Sequence, residues 1–303
     1  MTIETTGISR AGGLASHPAP RRPHLLDGFS IEITPGAAAK VPSFATLLPP
    51  GTAVYVTHLP GADDRAAVAL CRRLADEALR PIPHLAARTL GSRAALADWL
   101  GRMVSQAGAR DILLIAGTAD RPAGPFRDTR DVLDSGLLER AGLSGLGMAG
   151  HPEGHPNARA PTLMDALRHK QAWAGANGLD AWIVTQFTFS ARPVTRWLAR
   201  LTEAGVTLPA RIGLAGPAKP STLITYARQC GVGASLRVLT RRPDVMTGLL
   251  HTWTPDGVMD DLSVAEPANL AGLHLFPFGG LARTAGWAAA RAMAPAPASR
   301  IMA

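Results

Sequence analysis

Glu32 stands in the run Phe29-Ser30-Ile31-Glu32-Ile33-Thr34-Pro35, an acid between two β-branched apolar residues. A carboxyl group held there on a buried strand loses the water that favours its charged form, so it can serve as a general acid near neutral pH. A salt bridge to an arginine is the structural alternative, and the run alone leaves both open. Gln186, in Thr185-Gln186-Phe187, carries a donor and an acceptor together on a strand. That suits the edge of a heterocycle such as a pterin or flavin, with a satisfied core amide as the alternative. Phe187 and Phe189 read as a core stripe; an exposed face on either could stack on a ring.

The histidines invite a second kind of chemistry. His151 and His155 flank Glu153 in His151-Pro152-Glu153-Gly154-His155-Pro156, and His84 lies in Pro81-Ile82-Pro83-His84-Leu85. A metal-dependent hydrolase would use these three imidazoles. Histidines four apart share a face only on a helix, and Pro152 and Pro156 oppose a helix there. No His-x-His pair marks the first strand run either, so a loop that orders a ligand is the preferred reading. Lys170 sits inside an apolar-periodic helix, where a solvated face is the default and a phosphate contact the sharper reading. Thr57 and His58 end one strand run, and Thr118 and Asp120 follow another.

Eight short apolar runs must position these residues: 29–34, 52–57, 81–86, 111–117, 145–150, 181–187, 210–215 and 272–276. Most are continuous rather than alternating, as parallel strands covered on both faces require. The third is the poorest strand on propensity because of Pro81 and Pro83. Helical periodicity fills the gaps over 62–79, 131–140, 162–177, 194–204, 221–229, 244–252 and 282–293. A further helix is signalled by Ser92 as N-cap, with Leu96, Trp99, Leu100 and Met103 on one face. Eight strand–helix units predict a (β/α)8 TIM barrel over residues 28–293, between a flexible arm (1–27) and a flexible tail (294–303). A doubly wound sheet is the runner-up, but no glycine fingerprint follows the first strand. In a barrel the polar residues at the C-terminal strand ends are the candidates for function.

Composition narrows the class. The 303 residues are 47% hydrophobic and 18% charged, which suits a globular chain. No apolar run reaches the ~18 residues of a membrane span, and the N-terminus lacks a secretory layout. The net charge of +8 is almost all arginine, since Lys40, Lys170 and Lys219 are the only lysines. The arginines are scattered without interleaved aromatics, which argues against nucleic acid, although they could steer an anionic small molecule. Cys71 and Cys230 form no framework; Cys71 reads as core, and a reducing cytoplasm is the simplest setting. A homo-oligomer is left open.

Taken in order, these segments resemble the methylenetetrahydrofolate reductase family. Glu32 and its flanks are similar to that family's Glu-Phe-Phe-Pro, Val54-Tyr55-Val56-Thr57 to its Val-Ser-Val-Thr, and Pro83-His84-Leu85 to its Pro-His-Leu. His151 to Pro156 is similar to Tyr-Pro-Glu-x-His-Pro. Leu167 to Lys170 resembles Leu-Lys-Arg-Lys, with Ala174-Gly175-Ala176-Asn177 following, and Thr185-Gln186-Phe187 matches Thr-Gln-Phe. The resemblance spans Phe29 to Arg283.

It implies an oxidoreductase of one-carbon metabolism that interconverts 5,10-methylenetetrahydrofolate and 5-methyltetrahydrofolate, with NAD(P)H as hydride source and FAD as relay. Glu32 would be the acid that opens the folate's imidazolidine ring. Gln186 would hold the pterin, with Phe187, Phe189, Thr118, Asp120 and Arg283 the other substrate-side candidates. Thr57, His84, Gly117, His151, His155 and Lys170 would line the flavin. Departures gather at that flavin. The family's Arg-Gly-Asp stands here as Ala116-Gly117-Thr118, with Asp120 displaced. His151 replaces a tyrosine, and Leu163, Ala166 and His169 replace an Asp, an Asn and an Arg. Charge-assisted contacts of about 1.5–3 kcal/mol each are lost. FAD is therefore expected to bind weakly, or to be dispensed with in favour of direct transfer from the nicotinamide. A non-catalytic folate-binding barrel is the alternative from a different class.

Overall fold

The computed structural model describes residues 24–58, 61, 64–229 and 252–293. Eight parallel strands close into a barrel in sequence order: β1 (Ser30–Ile33), β2 (Ala53–Val56), β3 (Arg80–Ala86), β4 (Asp111–Ile115), β5 (Gly145–Gly150), β6 (Asp180–Thr188), β7 (Ala210–Ala215) and β8 (Leu270–Phe276). The seam closes where Ser30 pairs with His274 and Ile31 with Leu275. The fold is the predicted (β/α)8 TIM barrel. Among the described residues no helix is long and apolar enough to cross a membrane.

β3 forms in full despite its prolines. Residues 81 and 83 share one phase of the strand, so both missing N–H groups fall toward the same neighbour. The ladder to β4 runs through His84, Leu85 and Ala86, beyond the prolines.

Around the barrel run α1 (Pro35–Ala38), α2 (Asp64–Asp76), α3 (Arg93–Gly101), α4 (Thr129–Leu133), α5 (Ala160–Ala176), α6 (Ala191–Glu203), α7 (Pro220–Gln229), α8 (Asp256–Ala265) and α9 (Leu281–Met293). Their apolar faces meet the outward strand residues in one cluster that includes Ile31, Val54, Leu85, Leu114, Met148 and Ile183. Ser92 caps α3 as expected, accepting from Ala95 N at 3.0 Å. Cys71 on α2 is buried in this layer, and desolvation pushes its thiol up to about 12.

Three expectations are corrected. The helix expected over 131–140 is the single turn α4, because Asp128 caps it early by accepting from Arg130 N and Asp131 N, and Gly136 at φ +69° follows it. The helix α8 was not foreseen; Val258, Met259 and Leu262 bury its inner face, and Asp256 and Asp260 both pair with Arg291 of α9. The arm was drawn to residue 27, yet residues 24–28 form a turn whose Leu26, 2% exposed, packs in the core. The rest of the arm (1–23), the tail (294–303) and residues 244–251 of the expected helix at 244–252 lie outside the described residues.

Inside the barrel, Ala53, Tyr55, Ile82, Leu113 and Val184 pack with Trp182 and Ile115. Trp182 needs room from β5: a Cβ on Gly147 would stand 3.2 Å from Trp182 Cε2 and 3.1 Å from Leu113 Cδ1. Gly145, Gly147 and Gly150 of β5 therefore serve packing. Trp182 Nε1 donates to the Tyr55 hydroxyl at 2.6 Å, tying β6 to β2 across the lumen.

Candidate functional site

Parallel strands put all eight C-terminal ends at one mouth of the barrel. Glu32 projects inward from β1, its side chain 21% exposed. Its Oε2 lies 3.7 Å from His84 Nε2 on β3 and 3.8 Å from His274 Nε2 on β8. Both Nε2 atoms are buried and have no hydrogen-bond partner among the described residues. Among the described residues no arginine pairs with Glu32, the alternative weighed for it; two imidazoles occupy that place. Burial outweighs the carboxylate's pull and lowers His84 to a pKa of about 4, so its ring is neutral at neutral pH.

His274 is a residue the sequence reading missed. It is fully buried, and its Nδ1 lies 2.9 Å from Ser30 Oγ. When the serine hydroxyl donates to Nδ1, the ring proton sits on Nε2 and faces Glu32. The signal was available: a histidine inside the apolar run Leu270-Ala271-Gly272-Leu273-His274-Leu275-Phe276 must find a polar partner when buried.

On the far side of the mouth, Gln186 is half-buried at an irregularity in β6, where pairing with β7 shifts between Val184 and Phe187. Thr185 Oγ1 fills the bulge by accepting from Gly213 N at 2.8 Å. Gly213 is required there, because a Cβ would stand 2.5 Å from Thr185 O. No hydrogen bond engages the Gln186 amide among the described residues. Phe187 and Phe189 are buried in an aromatic cluster with Phe276 and Phe278, as a core stripe would be.

The residues expected to line a flavin divide into two groups. His84 stands beside Glu32 and Thr57 shares a small space with His84, whereas His151, His155 and Lys170 gather beyond β5. The rings of His151 and His155 meet edge to face at 5.0 Å. Desolvation, then the charges of His155 and Lys170, lower His151 to about 4; burial and then Arg88 lower His155. Gly117, after β4, has φ +87° and a Cβ position 3.3 Å from Ala86 Cβ, so backbone geometry alone demands glycine. Thr118, Asp120 and Arg283 are exposed. The histidines of the metal reading are thus split, and no group of three or more His, Cys, Asp or Glu side chains among the described residues could hold a metal ion. Beside the mouth a groove of about 570 Å³ runs between α5 and α6, lined by His151, Glu153, Leu163, Met164, Trp197 and Arg200 among others.

The α5 residues test whether FAD fits. Lys170 is 5% exposed, not on a solvated face; burial lowers its amine to about 8, with Asp128 the compensating charge. His169 lies 3.8 Å from Asp134, and Leu163 and Ala166 have no hydrogen-bonding side chain. A diphosphate and ribose need several charge-assisted donors. One desolvated amine does not supply them, so these residues do not fit FAD.

No protein-family model matches the chain. Among solved structures it is similar to a conserved protein of unknown function from Enterococcus faecalis, at 9% identity and a TM-score of 0.42 over 84% of this chain and 61% of that one. This chain thus spans about three fifths of that protein's length, at 61%. A likeness so distant says nothing of chemistry.

Proposed function

We propose that this barrel is an oxidoreductase similar to methylenetetrahydrofolate reductase, acting on a folate-bound one-carbon unit without flavin. The observation that carries the reading is the Glu32 carboxyl group at the barrel mouth, 3.7 and 3.8 Å from two buried imidazoles and free of any arginine ion pair among the described residues. A carboxyl group so placed stands where a substrate nitrogen at the mouth can receive its proton.

In this reading Glu32 protonates the bridging nitrogen of 5,10-methylenetetrahydrofolate, and the ring opens to an iminium. A bound nicotinamide would supply the hydride that takes the iminium carbon to a methyl group. Each turnover consumes one proton and one hydride, and the reverse direction releases them. Ser30 and His274 hold the carboxylate's surroundings in one geometry. Gln186, whose amide has no hydrogen-bond partner among the described residues, reads the pterin edge.

The test is turnover of 5,10-methylenetetrahydrofolate with NADH or NADPH, with and without added FAD, by the full chain and by Glu32→Gln. The wild-type chain is expected to turn over without a gain from FAD. Glu32→Gln is expected to lose at least about a hundredfold in kcat, the usual contribution of a general acid, with an unchanged melting temperature. Equal rates would remove Glu32 from the mechanism. Binding of 5-methyltetrahydrofolate with no turnover in either direction would make the protein a folate-binding barrel.

A further inference from the structure

Behind the ends of β2 and β3 lies a small space of about 10 Å³, close to what one water molecule needs. Trp99 and Met103 close its outer wall, while Thr57, His58, Asp64 and His84 give it polar sides. An apolar cavity of this size stays dry, but this one meets two imidazoles. Nε2 of His58 is buried with no hydrogen-bond partner among the described residues, and His84 lines the same space with its own Nε2 turned to Glu32. Buried polar atoms without protein partners are where ordered water is found.

We propose that this space holds a water joining His58 to His84, and that the row Asp64, His58, water, His84, Glu32 conducts protons between solvent and the Glu32 carboxyl group. The proposal rests on the reading of Glu32 as the acid. His58 Nδ1 lies 3.9 Å from Asp64 Oδ1, and His84 Nε2 lies 3.7 Å from Glu32 Oε2. Both gaps exceed a hydrogen bond by under 1 Å, and catalytic contacts commonly tighten when substrate is bound. Asp64 is one-third exposed, which opens the row to water.

His84 stays neutral because burial disfavours its cation. A neutral imidazole can accept a proton at one nitrogen while releasing one from the other, so the relay takes a proton from the water at His84 Nδ1 and passes the one on Nε2 to Glu32. The charged and titratable groups around the row are Glu32 from β1, His274 from β8, Asp64 from α2, Asp98 from α3, and Arg102, which pairs with both of these aspartates. Per turnover one proton leaves the Glu32 carboxyl group for the substrate nitrogen, and one enters from solvent at Asp64. Only O–H and N–H bonds break and form, and no electrons change hands.

His58 therefore acts through His84, and the test must separate conduction from architecture. In full chain labelled with 15N at histidine, exchange of the His84 ring proton with water is measured by NMR in wild type, His58→Phe and His58→Gln. Phe seals the space and Gln keeps a hydrogen-bonding group that cannot relay. Both are expected to slow exchange at least tenfold. In the active enzyme they are expected to lower kcat about tenfold with KM unchanged, and to raise its solvent deuterium isotope effect. Should Phe prevent folding, Gln decides alone. Unchanged exchange in the folded variants overturns the conduit. Slowed exchange in a chain that never turns over folate supports the conduit and sinks the role given to Glu32.

Discussion

Nδ1 of His274 and Oγ of Ser30 lie 2.9 Å apart inside the barrel, although 244 residues separate them along the chain. The bond spans the seam between the last strand and the first. It orients the imidazole so that Nε2 faces Glu32, which makes closure of the barrel and assembly of the site one event. Ser30→Ala should leave a buried ring nitrogen without a partner, at a cost of about 1–3 kcal/mol. Urea unfolding would measure that cost. The 15N shifts of His274 should report a changed tautomer balance; an unaltered balance would mean that Ser30 does not set it.

Acid should weaken the fold through its buried histidines. His84 and His151 are each lowered to about 4 in the folded chain, against about 6.5 when unfolded. Between those values the unfolded state binds more protons, so stability falls as pH drops from about 6.5 to 4, and the histidine contribution is level above 7. Each histidine contributes on the order of 3 kcal/mol at most. Denaturant midpoints at intervals from pH 7.5 to 4.5 should trace the decline, and His151→Gln should flatten it. A profile as steep in the variant would exonerate His151.

Lys170 should be a liability to stability. Its amine is lowered to about 8 from 10.5 by burial, so the folded state sheds a proton that the unfolded state keeps. Stability should therefore rise between about pH 8 and 10.5. Lys170→Met keeps the volume and removes the desolvated charge, and should gain about 1–3 kcal/mol at pH 7. Chemical denaturation at pH 7 and pH 10 checks both signs. A loss of stability in the variant would show that the ammonium group is needed where it lies.

Gly147→Ala should overpack the lumen, since the new methyl group would meet Leu113 at 3.1 Å and Trp182 at 3.2 Å. The expected cost is about 1–3 kcal/mol. Combined with Trp182→Phe, part of that cost should vanish, giving a non-additive double-mutant cycle. Strict additivity of the two melting shifts would show that the ring does not set the size at position 147.

Helix positions were harder to read than strands. A strand buried on both faces announces itself as an apolar run, so all eight were legible, including β3 with its two prolines. The short α4 was misjudged because one aspartate side chain, Asp128, decides where it starts. The helix α8 was missed because its evidence is tertiary: Asp256 and Asp260 meet Arg291 only after α9 has docked. Lys170 lies on a periodic helix like many solvated lysines, and only the packing of α5 puts it inside.

Sequence alone determined the order of the eight strands and the presence of an acid on the first strand, since both depend on local periodicity and residue type. It also placed Cys71 in the core and marked Glu32, His84 and Gln186 as polar groups near strand ends. Which groups surround Glu32 was decided by barrel closure. Residues 32, 84 and 274 come from strands far apart in the chain, and only the ring of parallel strands brings their side chains within 4 Å. An imidazole where an arginine could have stood depends on that closure, because a charge's neighbours are set by distance in space.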